Sequence, residues 1–218
     1  MKKYIILALA FMAGATFNTV KADDIDSVSY AVGVGMGMQL RQIDAAELSV
    51  EKIAQGIADA LKGQITSPNR EMQQMVMEYF TKKEQEKVAK QMAEGKAFLA
   101  ENGKKENVIT TASGLQYKVL KQGDGQVPQM TDKVKVHYEG RLIDGTVFDS
   151  SIQRGEPATF LPTQVIKGWT EALTMMPVGS KWQLYIPQEL AYGARSAGQI
   201  PPYSTLIFDV ELIEIEAE

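Results

Sequence analysis

Side chains able to form covalent intermediates are scarce in this 218-residue chain, which has no Cys and a single His, His137. The lack of thiols excludes disulfides, thiolate metal sites and Cys nucleophiles, and one imidazole cannot build a His cluster for a metal. No Gly-x-Ser-x-Gly turn occurs, and His137 lies in an alternating stretch without an evident Ser or Asp partner, so it reads as a solvent-face strand residue. Spacing selects no pair of carboxylates for acid–base work either. The second half instead concentrates aromatic and aliphatic residues beside turns: Tyr138, Phe148, Phe160, Val165, Ile166, Trp169, Tyr192, Ile200 and Phe208. Such a set can hold an apolar group by burial, and it can equally well fill a core.

The elements that must position these residues fall into two halves. From residue 103 onward apolar and polar residues alternate, as in half-buried strands: Leu115 to Leu120, Val134 to Tyr138, Trp182 to Ile186 and Leu206 to Leu212. Gly123-Asp124-Gly125, Asp144-Gly145 and Pro201-Pro202 mark turns, and one short helix fits between strands at about Gln164 to Leu173. The expectation is an antiparallel sheet packed on one helix, so the chain as a whole is α+β with an all-helical first part.

Residues 23–102 read as helix, in segments Asp26 to Gln42, Ser49 to Lys62 and a long one of about 68–101. Val50, Ile53, Ile57 and Leu61 form one face of the second segment. Ser67 is the expected cap of the third, with Pro68 in its first turn. Thr81 to Lys87 is polar all round, so the third segment reads as a strut bridging two domains. Val32 to Arg41 (VGVGMGMQLR) superficially suggests a phosphate loop but lacks the preceding strand and the Lys-Ser/Thr pair. Small residues for close helix packing, with Met filling gaps, explain it better, and the thin core of this half points to a second copy as partner.

Lys2 and Lys3 precede an apolar run from Tyr4 to Ala15, and Val20 and Ala22 supply small residues before Asp23. Residues 1–22 therefore read as a cleaved secretory signal, too short to span ~30 Å of hydrocarbon. Removing them takes away three Lys and no acid, leaving 20 basic against 27 acidic residues, a charge of -7 in place of -4. That balance argues against a general attraction to nucleic acid. A bacterial periplasm is the natural destination.

Several motifs stand in the order found in the FKBP family. They are Val136-His137-Tyr138-Glu139-Gly140, Gly145 to Ser151 (GTVFDSS), Val165-Ile166-Lys167-Gly168-Trp169, Leu190-Ala191-Tyr192-Gly193, Ile200-Pro201-Pro202 and Leu206 to Leu212 (LIFDVEL). The chain from about 107 to 218 thus resembles these macrolide-binding peptidyl-prolyl cis-trans isomerases throughout. The helical first half resembles the dimerisation region of the macrophage infectivity potentiator group of secreted FKBPs. The resemblance implies a division into a signal (1–22), a helical dimerisation domain with its linker helix (23–102) and an isomerase domain (103–218). It also implies no cofactor and no metal, a homodimer formed through the N-terminal helices, and unfolded or partly folded proline-containing clients among exported proteins. Macrolides become candidate inhibitors, and the location is periplasmic, free or attached to the outer membrane. A holdase chaperone with incidental isomerase activity is the alternative. By the same resemblance Trp169 is the pocket floor, with walls from Tyr138, Phe148, Val165, Ile166 and Phe208. Phe160 keeps one aromatic position, while Ala158 stands at another. Asp149 and Tyr192 are the polar groups at the rim, Asp149 orienting Tyr138, and the Ile200 N–H holds a substrate carbonyl.

The residue types suit that chemistry. Amide resonance sets a barrier of ~18–20 kcal/mol to rotation, and X-Pro exchange takes tens to hundreds of seconds although its cis form is close in energy. No bond breaks, so a catalyst needs only to favour the twisted amide over the planar one, with an apolar seat for the ring and fixed donors for the carbonyl.

Overall fold

The computed structural model describes residues 24–216; the expected signal segment lies outside the described residues. By internal contacts the chain divides into two compact units, ending and beginning at Gln73 and Gln74.

The first unit is helical, and the third helix begins in its last residues and runs on into the second unit. Helix α1 (Ile25–Gln42) is capped by Asp24, whose carboxylate accepts from the Asp26 N–H and the Ser27 hydroxyl. Helix α2 (Val50–Leu61) is capped by Ser49, which accepts from the Lys52 N–H. Neither helix buries a single residue. Helix α3 (Arg70–Asn102) starts later than Ser67 and Pro68 suggest, because Asn69 is the cap: its Oδ1 accepts the Met72 N–H at 2.8 Å. Pro68 thus stays outside the helix. The 33 residues of α3 give a rod of about 50 Å.

In the second unit, seven strands form one antiparallel sheet among the described residues. They are β1 (Ile109–Thr110), β2 (Gln116–Lys121), β3 (Lys133–Leu142), β4 (Val147–Ser150), β5 (Ala158–Phe160), β6 (Lys181–Ile186) and β7 (Leu206–Glu216). The order is β1-β2-β6-β7-β3-β4, with β5 on the remaining stretch of β3. Alternation does what its period demands: Val134, Val136 and Tyr138 of β3 are buried while Lys133, Lys135 and His137 are not. The inner face packs on helix α5 (Lys167–Leu173) through Leu173, Met176, Leu184, Ile186, Leu206 and Val210.

The helical content of this unit exceeds the single segment expected. A one-turn helix α4 (Ser151–Arg154) follows β4, and 3-10 turns precede α5 and follow β6. α5 starts at Lys167 and not near Gln164, since Val165 and Ile166 are extended and interrupt the helical run.

The outer face of the sheet receives the last turns of α3. The Phe98 and Tyr185 rings lie 6.0 Å apart. Gln116 Nε2 donates to the Leu99 carbonyl at 2.9 Å, and Asn102 Nδ2 donates to Gln116 Oε1 at 3.0 Å with Asn102 fully buried. A side chain at Gly95 would stand 2.5 Å from the Thr205 hydroxyl oxygen, so the helix approaches as closely as a glycine permits.

Candidate active site

Two glycines bring the aromatic residues together. A Cβ on Gly140 would collide with the Phe208 and Phe148 rings at 2.5 and 2.6 Å, so those rings lie directly over β3. A Cβ on Gly168 would meet Ile186 at 2.6 Å, which fixes α5 against β6 and aims the next residue, Trp169, at the gap between the strands. The indole, only 4% exposed, is met nearly edge-on by three rings: Tyr138 and Phe208 at 5.2 Å and Phe160 at 5.6 Å. Such perpendicular pairs hold a rigid aromatic wall.

Above this wall opens a cavity of about 810 Å³, within the range of small-ligand sites. Its lining includes all ten residues singled out from the sequence: Tyr138, Phe148, Asp149, Phe160, Val165, Ile166, Trp169, Tyr192, Ile200 and Phe208. Ala158 is absent from the lining; it pairs with Val136 and packs against the core.

One wall is polar. The Tyr138 hydroxyl donates to Asp149 Oδ2 at 2.5 Å, and Arg154 bonds both Asp149 Oδ1 and, at 2.9 Å, the Tyr138 oxygen. The same guanidinium stands 5.5 Å from the Tyr138 ring centre. Arg154 owes its place to α4, which begins on the Ser150 cap and ends at Gly155, φ 83°. Burial alone would raise the Asp149 carboxyl, but the Tyr138 hydroxyl, the Arg154 guanidinium and the Ser150 N–H together hold it below the ordinary aspartate value. Burial first, and the Asp149 hydrogen bond second, push the Tyr138 phenol up against the opposing pull of Arg154. At neutral pH the wall is therefore a carboxylate, a neutral phenol and a guanidinium.

The opposite wall comes from the connection between β6 and β7. The Tyr192 hydroxyl has no partner among the described residues, while the Tyr203 N–H donates to the Gly193 carbonyl at 2.7 Å and pins the loop. The Ile200 N–H donates to the Ala197 carbonyl at 2.9 Å, closing a tight turn. His137 differs from its reading. It is half-buried, with Nδ1 3.0 Å from the Ser151 hydroxyl, but that hydroxyl is buried and engaged with the Tyr138 backbone, and neither residue lines the cavity.

The charged and polar residues overlooked in the sequence are Arg154 beside the cavity, and Gln164, Lys167, Arg195 and Gln199 in its lining. A search for apolar types passes over them, although Lys167 sits inside the Val165–Trp169 motif.

Residues 125–213 match the model of the FKBP-type peptidyl-prolyl cis-trans isomerase domain, and residues 25–119 match that of the domain amino-terminal to it. The Escherichia coli FKBP-type 22 kDa peptidyl-prolyl cis-trans isomerase is 50% identical over 94% of this chain and 100% of its own length. The Coxiella burnetii peptidyl-prolyl cis-trans isomerase Mip is 42% identical over 99% of each chain. Among solved structures, the crystal structure of FkpA from Escherichia coli matches with a TM-score of 0.74 and 35% identity, covering 89% of this chain and 98% of that one. With both parts of the chain matched and relatives aligned end to end, the protein belongs to the FKBP-type peptidyl-prolyl cis-trans isomerases.

Proposed function

We propose that this chain is an exported, homodimeric isomerase that speeds X-Pro rotation in unfolded or partly folded exported proteins. The observation that carries the catalytic part is the Trp169 indole, edge-packed by Tyr138, Phe160 and Phe208 at the base of the cavity. A prolyl ring seated there leaves water, which otherwise favours the planar, more polar amide. Tyr192 donates its unpaired hydroxyl to the substrate backbone. Asp149, its charge balanced by Arg154, keeps the Tyr138 hydroxyl turned and faces the carbonyl as it twists. The Ile200 N–H serves the substrate by exchanging its Ala197 acceptor for a substrate carbonyl, so that turn opens on binding. Each 1.36 kcal/mol gained by the twisted amide over the planar one gives about tenfold in rate.

The dimer is supported by exposed apolar residues on α1, among them Ile25 at 80%, Tyr30 at 76% and Met38 at 62%. Two linked sites raise the effective concentration for a client carrying several prolines. Holdase activity is the second reading, favoured by Met75 and Met77, exposed at 63% and 64% on α3. The amino-terminal basic and apolar run supports export, and the similarity to the Legionella longbeachae outer membrane protein MIP, 39% identical over 96% of this chain, supports an envelope location.

A protease-free assay on a short X-Pro peptide tests the enzyme, with Trp169→Leu and Tyr192→Phe as the informative variants. Unaccelerated exchange with the wild-type chain overturns the catalytic reading. A monomeric mass at micromolar concentration by light scattering overturns the dimer.

A further inference from the structure

The cavity is several times larger than a prolyl ring, so the residues flanking the X-Pro bond must pass over its outer lining. Three charged residues stand in that lining: Asp149, Lys167 and Arg195. They are not equivalent. Both Asp149 oxygens are occupied, one by the Tyr138 hydroxyl and the other by the Arg154 guanidinium, so the only carboxylate in the lining is already balanced by a neighbouring cation. Lys167 and Arg195 are exposed, and neither has a carboxylate within ion-pair distance among the described residues. On a chain of net charge -4, several other cations are paired, including Lys82, Lys90, Lys104, Lys135 and Arg141. The cavity mouth is therefore a positive spot on a negative molecule.

Resting on the isomerase reading, we infer that Lys167 and Arg195 set substrate preference, favouring X-Pro bonds that have Asp or Glu within two residues on either side. An acidic flank meets two uncompensated cations at the edge of a concave apolar site, where field lines are concentrated. A basic flank meets repulsion there and finds no free carboxylate. Ion pairs at exposed positions are weak, so two of them together yield about three- to tenfold in kcat/KM between a Glu-flanked peptide and its Gln counterpart at low salt. Screening shrinks the ratio as the Debye length falls from ~30 Å at 0.01 M to ~3 Å at 1 M.

The test uses the full chain and three peptides that share one X-Pro bond and differ only in the flanks: Glu, Gln or Lys. The expected order of kcat/KM is Glu over Gln over Lys, with the spread collapsing in high salt. The Lys167→Glu/Arg195→Glu double variant should invert the order, and the ratio between peptides is the readout, whatever the variant's absolute rate. Equal turnover of the three peptides by the wild-type chain, or a ratio indifferent to both salt and charge reversal, overturns the inference while leaving the isomerase reading standing. Absence of acceleration on all three peptides overturns the isomerase reading itself, and the inference with it.

Discussion

Gly33 and Gly37 in α1 have open space where a Cβ would stand, whereas a Cβ on Gly95 in α3 would lie 2.5 Å from the Thr205 oxygen. The same residue type marks an unused surface in one helix and a filled contact in the other. α1 and α2 bury nothing of their own despite their apolar residues, while the end of α3 buries Gly95 and Asn102 against the sheet. The comparison separates two kinds of helix within one half of the sequence. The first exposes apolar residues that the proposed dimer would cover. The second is part of the catalytic unit, reaching Thr205 at the root of the loop that carries Tyr192 and Ile200.

Truncation gives the largest expected effect. A chain beginning at residue 103 loses Phe98, Leu99 and Asn102 from the outer face, and we expect it to be about 3–5 kcal/mol less stable than one beginning at Gln91. Equal denaturant midpoints would show that the α3 end merely lies alongside the sheet. Removing residues 24–73, in contrast, should leave both the midpoint and short-peptide turnover unchanged while abolishing the dimer.

Within the catalytic unit, Trp169→Leu should lower kcat/KM about 10- to 100-fold, corresponding to about 1.4–2.7 kcal/mol of lost transition-state binding. The drop should be the same in full-length and truncated chains. A drop confined to the full-length chain would tie catalysis to the helical unit and break the separation.

The glycines sharpen the contrast more finely. Gly33→Leu with Gly37→Leu should yield a monomer by light scattering with peptide turnover intact. Gly95→Ala should cost about 1–2 kcal/mol, as overpacking outweighs the gain in helix propensity. Adding Thr205→Ala should recover most of that loss by making room. If Gly95→Ala alone stabilises the chain, the close approach is wrong.

The smallest effect is the dependence on pH. Because the Asp149 carboxyl is held below its ordinary value, its contribution to stability is fully present above the unfolded aspartate value of ~3.9 and is lost as pH falls through the lower folded one. The Tyr138 phenol, raised by burial and by Asp149, stays protonated throughout the neutral range. Activity should therefore be flat from about pH 5 to 9; an inflection near neutrality in the wild-type profile would sink this account of the polar wall.

Much of this was legible before any fold was seen. Alternation along Val134 to Tyr138 and Leu206 to Leu212 follows from the two-residue repeat of a strand, which neighbouring residues alone encode. The ten lining residues named from the sequence were legible as types and, Phe160 apart, through their family motifs. Helix boundaries were less so: Asn69 took over capping from Ser67 because the side chain that reaches the N–H three residues on wins, and Pro68 has no side-chain oxygen to compete.

The sequence alone determined that no thiol or imidazole cluster could act, that one half would be helical and the other a sheet, and that aromatic side chains would gather beside its turns. Tertiary structure decided which groups meet. Tyr138 on Asp149, Ser151 on His137 and Gln116 on the Leu99 carbonyl are pairings of hydrogen-bond range. Periodicity is set by a residue's nearest neighbours, but a contact of 3 Å between distant segments depends on strand register and helix approach, which the whole chain fixes together.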